Sequence, residues 1–251
     1  MKWANEYKVH YYHTDYNNIL KPGHIARYMQ ETAWNALKNL GPRPEYLKKN
    51  NIAFILVKIS FRYYENIYED DIIKAETWVN PRKPLFFPRN YRIYKKDKIA
   101  VEAVSDWVVL NITERAVMRP DILDKKFMEP DPDVLDFSVQ KRINMPENMT
   151  FSYDYKIKYS DIDSYFHMNN AVYIDLICDN LYNKNEVLSP ELKKHIISLD
   201  INYNSEAVFA QELEISEGIV YSGDTEEHYI SAKIKNTEKN CFESKTVLTK
   251  R

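Results

Sequence analysis

A short segment in the second half of the chain carries several side chains suited to acid–base chemistry. Asp163 and His167 lie four residues apart, and Asn169 and Asn170 follow directly. An imidazole titrates near neutral pH, and a nearby carboxylate can hold it in one tautomer or accept a proton from water. Amide side chains can cap a helix or donate hydrogen bonds to a substrate. The segment predicts a hydrolytic site, although Asp and Asn before a helix are also common as simple caps.

An internal repeat helps to separate these two interpretations. YKVHYYHTD, residues 7–15, aligns with YKIKYSDID, residues 155–163, at a constant offset of 148 residues (163 − 15). Asp163 keeps a counterpart in Asp15, but the other three polar residues have none, since His167, Asn169 and Asn170 fall on Ile19, Lys21 and Pro22. Side chains needed only for the fold should recur in both copies. Because the first copy lacks His167, Asn169 and Asn170, a functional role of these three residues in the second copy is favoured.

The elements that must position this segment also occur twice. Apolar residues at helical spacing predict one helix over residues 24–40, ended by Gly41 and Pro42, and another over residues 169–183. Each helix is followed by four segments typical of β-strands. They cover residues 55–64, 71–79, 89–96 and 100–111 in the first half, and 195–204, 212–221, 228–236 and 243–250 in the second. The order strand, helix, four strands predicts an α+β fold in which each half wraps a curved antiparallel sheet around a long helix.

The two halves are separated by a stretch rich in proline and charge, which is typical of a linker that runs over the surface. We therefore predict an N-terminal domain over residues 1–125, a linker over residues 126–145 and a C-terminal domain over residues 146–251.

Composition and charge are those of an ordinary globular protein. The chain is 44% hydrophobic and 29% charged, and its formal net charge of −2 argues against a general nucleic-acid binder. Cys178 and Cys241 have the spacing of neither a disulfide framework nor a zinc site, so we expect buried thiols without a catalytic role. The N-terminus lacks the apolar stretch of a secretory signal, and no segment approaches 18 consecutive apolar residues. These features predict a cytoplasmic protein that does not associate with a membrane.

Three segments of the chain resemble the bacterial and plant acyl-ACP thioesterase family. They are SDIDSYFHMNNAVYI in the second half, and TDYNNILKPGHIARYMQETA and VNPRKPLFFPRNYRIY in the first. The resemblance covers nearly the whole chain, and its strongest motif is D-x-D-x-x-x-H-x-N-N. It implies two fused hotdog domains, with an acyl-chain pocket in the first and catalysis in the second. The implied reaction is hydrolysis of the thioester that joins a fatty acyl chain to the phosphopantetheine arm of acyl carrier protein, without a metal or cofactor.

The resemblance also implies roles for individual residues. The catalytic Asp and His of the family fall on Asp163 and His167, and a further catalytic Glu, in a Tyr-x-x-Glu context, falls on Glu206. Tyr165 stands where the family usually has Asn, and a phenol cannot reproduce the planar donor and acceptor pair of an amide. The candidate substrate contacts are Tyr165, Asn169 and Asn170.

Two further sets of residues follow from the implied substrate. Aromatic and apolar residues of the first half could line the acyl pocket, and each fits a core position equally well: Trp34, Met29, Phe54 and Trp78. Because carrier protein is acidic, it should meet the densest basic cluster of the chain, which comprises Arg82, Lys83, Arg89, Lys95 and Lys96.

Two other functions stay open at this point. Hotdog sites act on either pantetheine carrier, so the chain could be an acyl-CoA thioesterase. The Tyr165 replacement would also fit a non-catalytic acyl binder. The sequence leaves open whether the two-domain chain pairs further as a homodimer.

Overall fold

The computed structural model describes residues 1–81, 83–119, 123, 129–182 and 194–250. The chain forms two compact units, Met1–Val139 and Gln140–Arg251. Within the predicted linker, Leu135 and Val139 are buried against Trp78, so residues 129–139 pack as part of the first unit. Among the described residues, no helix is both long and apolar enough to cross a membrane.

The first unit places one long helix against an antiparallel sheet. The helix, α1, contacts strands β1 and β3, which pair with each other. The strands follow the order β1-β3-β4-β5-β2, and β6 pairs with β5. The elements are β1 (Lys2–Lys8), α1 (Pro22–Leu40), α2 (Pro44–Lys49), β2 (Ile52–Tyr63), β3 (Ile72–Val79), β4 (Phe87–Lys95), β5 (Lys98–Asn111) and β6 (Ala116–Met118).

The second unit repeats this plan with the same connectivity. Its strands follow the order β7-β9-β10-β11-β8, and all neighbours are antiparallel. The elements are β7 (Thr150–Lys156), α3 (Asn170–Asp179), β8 (Lys194–Tyr203), β9 (Glu212–Ser222), β10 (Thr225–Ile234) and β11 (Asn240–Lys250). Both predicted helices and all eight predicted strand segments coincide with these elements. The predicted duplication and the α+β class are confirmed.

Helix α1 begins with a proline, and both long helices pack one face against a sheet. Pro22 occupies the first turn of α1, where a missing N–H costs nothing. Ile25 and Met29 are buried on one face, while Thr32 joins the helix to β1 through a hydrogen bond of 3.1 Å with the Tyr7 hydroxyl. In the second unit, α3 packs the ring of Tyr173 edge-on against Phe242 of β11. One side of each helix is thereby fixed against its sheet.

The four residues predicted to line an acyl pocket have different environments. Met29 and Trp78 are fully buried, and the Trp78 indole N–H donates to the carbonyl of Asp133. Phe54 is partly buried and packs edge-on against Phe87, whereas Trp34 is 37% exposed. Met29 and Trp78 have the environment of core residues, and an acyl pocket in the first unit stays a prediction.

Candidate active site

The segment that carries His167 is a tight turn closed by the backbone of Asp163. The Asp163 N–H donates to the carbonyl of His167 at 2.9 Å, and the Phe166 N–H donates back to the carbonyl of Asp163 at 3.0 Å. Phe166 has a φ of 64°, in the left-handed region. The Asp163 carboxylate accepts the N–H of Tyr165 at 2.8 Å and so stabilises the turn from within.

The first unit contains the same turn without the imidazole. The Asp15 N–H donates to the carbonyl of Ile19 at 2.8 Å, the Asn18 N–H donates to the carbonyl of Asp15 at 3.0 Å, and Asn18 has a φ of 60°. The Asp15 carboxylate accepts the N–H groups of Asn17 at 2.8 Å and Ile19 at 3.0 Å. An aspartate is therefore present in both copies because the turn requires it, whether or not an active group follows.

A second segment, which follows β8, brings Glu206 to this turn. The N–H groups of Asn204 and Ser205 both donate to the carbonyl of Cys241, at 2.7 and 3.2 Å. The Met168 N–H then donates to the carbonyl of Ala207 at 2.8 Å, and His167 lies opposite Val208 in an antiparallel β-bridge. These backbone contacts bring Glu206, which precedes Ala207, next to His167, which precedes Met168.

The two side chains that meet there are His167 and Glu206. The His167 Nε2 lies 3.2 Å from the Glu206 Oε2, and the side chains are 36% and 33% exposed. This contact places a carboxylate oxygen beside a ring nitrogen that can donate or accept a proton. Because both groups are partly open to solvent, the pair can take a proton from a water molecule beside it.

Neither member of the pair recurs in the first unit. There the Leu20 N–H donates to the carbonyl of Ile67 at 2.8 Å, which corresponds to the bond between Met168 and Ala207. This equivalence sets an offset of 140 residues (206 − 66) for the second segment, so Asn66 takes the place of Glu206, as Ile19 takes that of His167. The backbone scaffold is duplicated, but the ionisable pair is present in the second unit alone.

The two asparagines lie where the turn enters α3. The side-chain oxygen of Asn169 accepts the N–H of Ala171 at 2.9 Å. The backbone carbonyl of Asn169 accepts the N–H of Val172, also at 2.9 Å. Asn169 is therefore the N-cap of the helix. Its own N–H donates to the carbonyl of Asp161 at 2.8 Å. Among the described residues, the hydrogen bonds at the start of α3 involve the N–H groups of Asn169, Ala171 and Val172, and none involves that of Asn170.

Tyr173 is a site residue that sequence reasoning missed. It lies one helical turn after Asn169 and is buried. Burial raises the pKa of its phenol, and the Cys241 thiol and the carboxylates of Glu206 and Asp163 raise that pKa further. The raised pKa keeps Tyr173 protonated close to the Glu206 carboxylate. Its helical spacing indicated only a buried face, since spacing cannot show which loop that face meets.

Cys241 provides a prediction about nucleophilic chemistry in the second unit. Burial raises the pKa of its thiol to about 11. Because a raised pKa keeps the thiol protonated until the pH approaches that value, the reactive thiolate is nearly absent at pH 7.5. We expect iodoacetamide at pH 7.5 to leave Cys241 unlabelled in the folded protein and hydrolysis unchanged, with labelling measured by mass spectrometry. Rapid labelling of Cys241 with loss of turnover would contradict this assignment.

The basic residues predicted to meet carrier protein differ in their surroundings. The ammonium groups of Lys83 and Lys95 lie 3.0 Å from the carboxylates of Asp106 and Asp71. Arg89 is half-buried and donates to the hydroxyl of Thr77, while Lys96 is exposed in the turn between β4 and β5. Arg82 lies outside the described residues. Lys96 is therefore the strongest docking candidate among the described members of the set.

The duplicated fold therefore carries a partly exposed His–Glu pair beside a helix N-terminus, and these are side chains that the sequence predicts for a hydrolytic site. Residues 1–125 match the acyl-ACP thioesterase N-terminal domain model, and residues 145–249 match the C-terminal domain model of the same family. The chain belongs to the acyl-ACP thioesterase family, which confirms the family predicted from the sequence.

Two solved structures share the fold of this chain. The structure of a putative oleoyl thioesterase from Lactobacillus plantarum matches this chain with a TM-score of 0.85 at 16% sequence identity. The match covers 100% of this chain and 96% of the Lactobacillus chain. An acyl-ACP thioesterase from Bacteroides thetaiotaomicron has a TM-score of 0.81 at 23% identity, over 98% and 97% of the two chains. These structures confirm the double hotdog fold.

A chloroplastic palmitoyl-acyl carrier protein thioesterase from Gossypium hirsutum is 25% identical over 199 residues. The aligned region covers 72% of this chain and 46% of the plant enzyme, so the chain spans about half the length of that relative.

Proposed function

We propose that this chain hydrolyses fatty acyl-ACP to free fatty acid and holo-ACP at the His167–Glu206 pair. The observation that carries the proposal is the 3.2 Å contact between Nε2 and Oε2 on a turn whose duplicate lacks both groups. Membership of the acyl-ACP thioesterase family supports the substrate class.

Water attacks the thioester carbonyl directly in the proposed reaction. Glu206 accepts a proton from the water as the new C–O bond forms, and His167, whose Nε2 lies 3.2 Å from Glu206, orients the water or the substrate. The tetrahedral intermediate then collapses, the C–S bond breaks, and the pantetheine sulfur leaves as thiolate. A thiol of ordinary pKa, about 8.5, leaves without strong acid assistance, so one base is sufficient.

The start of α3 provides the donor for the developing oxyanion. Within the described part of the chain, the N–H groups of Asn169, Ala171 and Val172 have hydrogen-bond partners, so the N–H of Asn170 is the proposed donor to the substrate oxygen. Asp163 acts as a positioning residue in this scheme, because its carboxylate holds the turn through the N–H of Tyr165.

A comparison of three carriers tests the substrate. The same acyl group is presented on acyl carrier protein, on coenzyme A and on free pantetheine, and kcat/KM is measured for each. We expect the highest value with the carrier protein. An equal or higher value with coenzyme A would favour an acyl-CoA thioesterase, and no hydrolysis of any of the three would leave a non-catalytic acyl binder.

Salt dependence tests how the carrier protein docks. We expect kcat/KM for acyl-ACP to fall steeply with added salt, and that for uncharged acyl-pantetheine to stay constant, because salt screens attraction between exposed charges. Lys96→Glu should lower kcat/KM for acyl-ACP by about tenfold, while Lys239→Glu, an equal charge change on an exposed turn of the second unit, serves as control. Kinetics indifferent to salt would contradict electrostatic docking on this cluster.

The cellular setting and assembly belong to the same proposal. Carrier-bound acyl chains are substrates of a soluble reaction, which supports the cytoplasmic location expected from the sequence. Pairing of two chains as a homodimer stays a prediction.

A further inference from the structure

Three exposed aromatic side chains lie close along the chain to the His167–Glu206 pair of the second unit. Tyr165 is 58% exposed, Phe166 is 80% exposed and Phe209 is 59% exposed. Tyr165 and Phe166 directly precede His167, and Phe209 lies three residues after Glu206. The bridge between His167 and Val208 sets Phe166 opposite Phe209 in register. We call Tyr165, Phe166 and Phe209 the aromatic rim.

The fold does not require aromatic residues at these positions. At the offsets already established, the rim residues correspond to Asn17, Asn18 and Glu69 in the first unit. The first unit builds the corresponding turn with these polar residues. The Asn17 N–H donates to the Asp15 carboxylate as the Tyr165 N–H donates to that of Asp163, and the Glu69 N–H donates to the carbonyl of Asn18. Polar residues are the ordinary choice on an exposed turn, and all three are replaced by aromatics only beside the ionisable pair.

The backbone conformation of Phe166 also argues against a role of its side chain in stability. Its φ of 64° lies in the left-handed region, which Asn tolerates and larger side chains rarely adopt. Asn18 adopts the equivalent conformation in the first unit. An exposed phenyl ring at a left-handed position stabilises neither the turn nor a core, so its benefit must lie in binding.

We propose that the aromatic rim binds the pantetheine arm of the thioester substrate. This inference rests on the proposed function. A thioester carbonyl at His167 has an acyl chain on one side, which requires burial in an apolar environment, and the carrier arm on the other. A rim that is more than half exposed suits the arm, which remains at the surface.

The chemistry of the rim fits this ligand. The pantetheine arm is uncharged and carries two amides and a pair of geminal methyl groups. Aromatic faces pack against methyl groups and accept weak N–H contacts from amides, and the rim itself contains no charged residue. The arm is common to acyl carrier protein and coenzyme A, so the rim should recognise both.

Replacement of the two phenylalanines tests the proposal. In Phe166→Asn/Phe209→Gln, we expect KM to rise about tenfold for matched acyl groups on carrier protein, on coenzyme A and on free pantetheine, with kcat within about threefold of wild type. The same rise should occur for short and long acyl chains. The melting temperature should not fall, because Asn suits the left-handed position, and this separates a binding role from a structural one.

The control is Phe151→Asn, which removes another exposed phenyl ring, on strand β7. We expect that variant to keep its KM. A rise in KM confined to acyl-ACP would overturn the inference in favour of contact with the carrier protein, and a rise that grows with acyl length would overturn it in favour of the acyl chain. Unchanged KM values would also overturn it. Failure of the wild-type protein to hydrolyse any thioester would instead refute the proposed function.

Discussion

We expect Glu206→Ala and His167→Ala each to lower kcat by about 10²–10⁴-fold, the range typical of the loss of a general base or its partner. The His167 Nε2 and the Glu206 Oε2 lie 3.2 Å apart, and we expect the two side chains to act as a unit. The double variant should therefore lose little more than either single variant, because residues that act together are strongly non-additive. Steady-state kinetics on acyl-ACP measures all three.

The duplication provides a matched control for this result. Asn66 occupies the position of Glu206 in the first unit, so Asn66→Ala makes the same truncation on the same scaffold. We expect its kcat to equal that of the wild type, within about twofold. Two results would show that the pair is not the reactive unit. In the first, the fold-reduction in kcat of the double variant equals the product of those of the single variants. In the second, Asn66→Ala and Glu206→Ala lower kcat equally.

Asp163→Ala should reduce kcat by about 10–100-fold, because the turn that carries His167 loses an internal acceptor and the imidazole is misplaced. Asp163→Asn keeps an acceptor oxygen for the Tyr165 N–H, so it should restore most of the lost activity. Both variants are measured by kcat and by thermal unfolding. If Asp163→Asn were as inactive as Asp163→Ala while remaining folded, Asp163 would be a base and not a positioning residue.

Asp15→Ala is the matched control for the turn itself. The Asp15 carboxylate accepts two N–H groups, so its loss should lower the free energy of unfolding by about 1–2 kcal/mol. Because no ionisable pair follows Asp15, kcat per folded molecule should not change. Loss of kcat in Asp15→Ala at unchanged stability would show that the two turns do not have the separate roles inferred from the duplication.

The sequence predicted the elements and indicated a candidate site, because both depend on local patterns. Alternating residues determined the strands, and the repeat distinguished His167 from its counterpart Ile19. Glu206 could be assigned only by resemblance to a family. Its meeting with His167 depends on the hydrogen bond between Met168 and Ala207, which no local pattern shows.

Other features depend on three-dimensional context in the same way. The repeat retained an aspartate at residues 15 and 163, but only the hydrogen bonds show that this carboxylate serves the turn. Trp78 fitted either a pocket or a core, and its packing against Leu135 and Val139 places it in the core. Those contacts come from a distant segment rich in proline and charge, whose path over the first unit the sequence pattern does not define.

Mass analysis of the fatty acids released from a panel of acyl carrier proteins tests the central claim most directly. We expect the wild-type protein to release free fatty acid and holo-ACP in equal amounts, and Glu206→Ala to release neither above background. Asn66→Ala should match the wild type. Undiminished release by Glu206→Ala, or no release by the wild-type protein, would contradict hydrolysis at the His167–Glu206 pair.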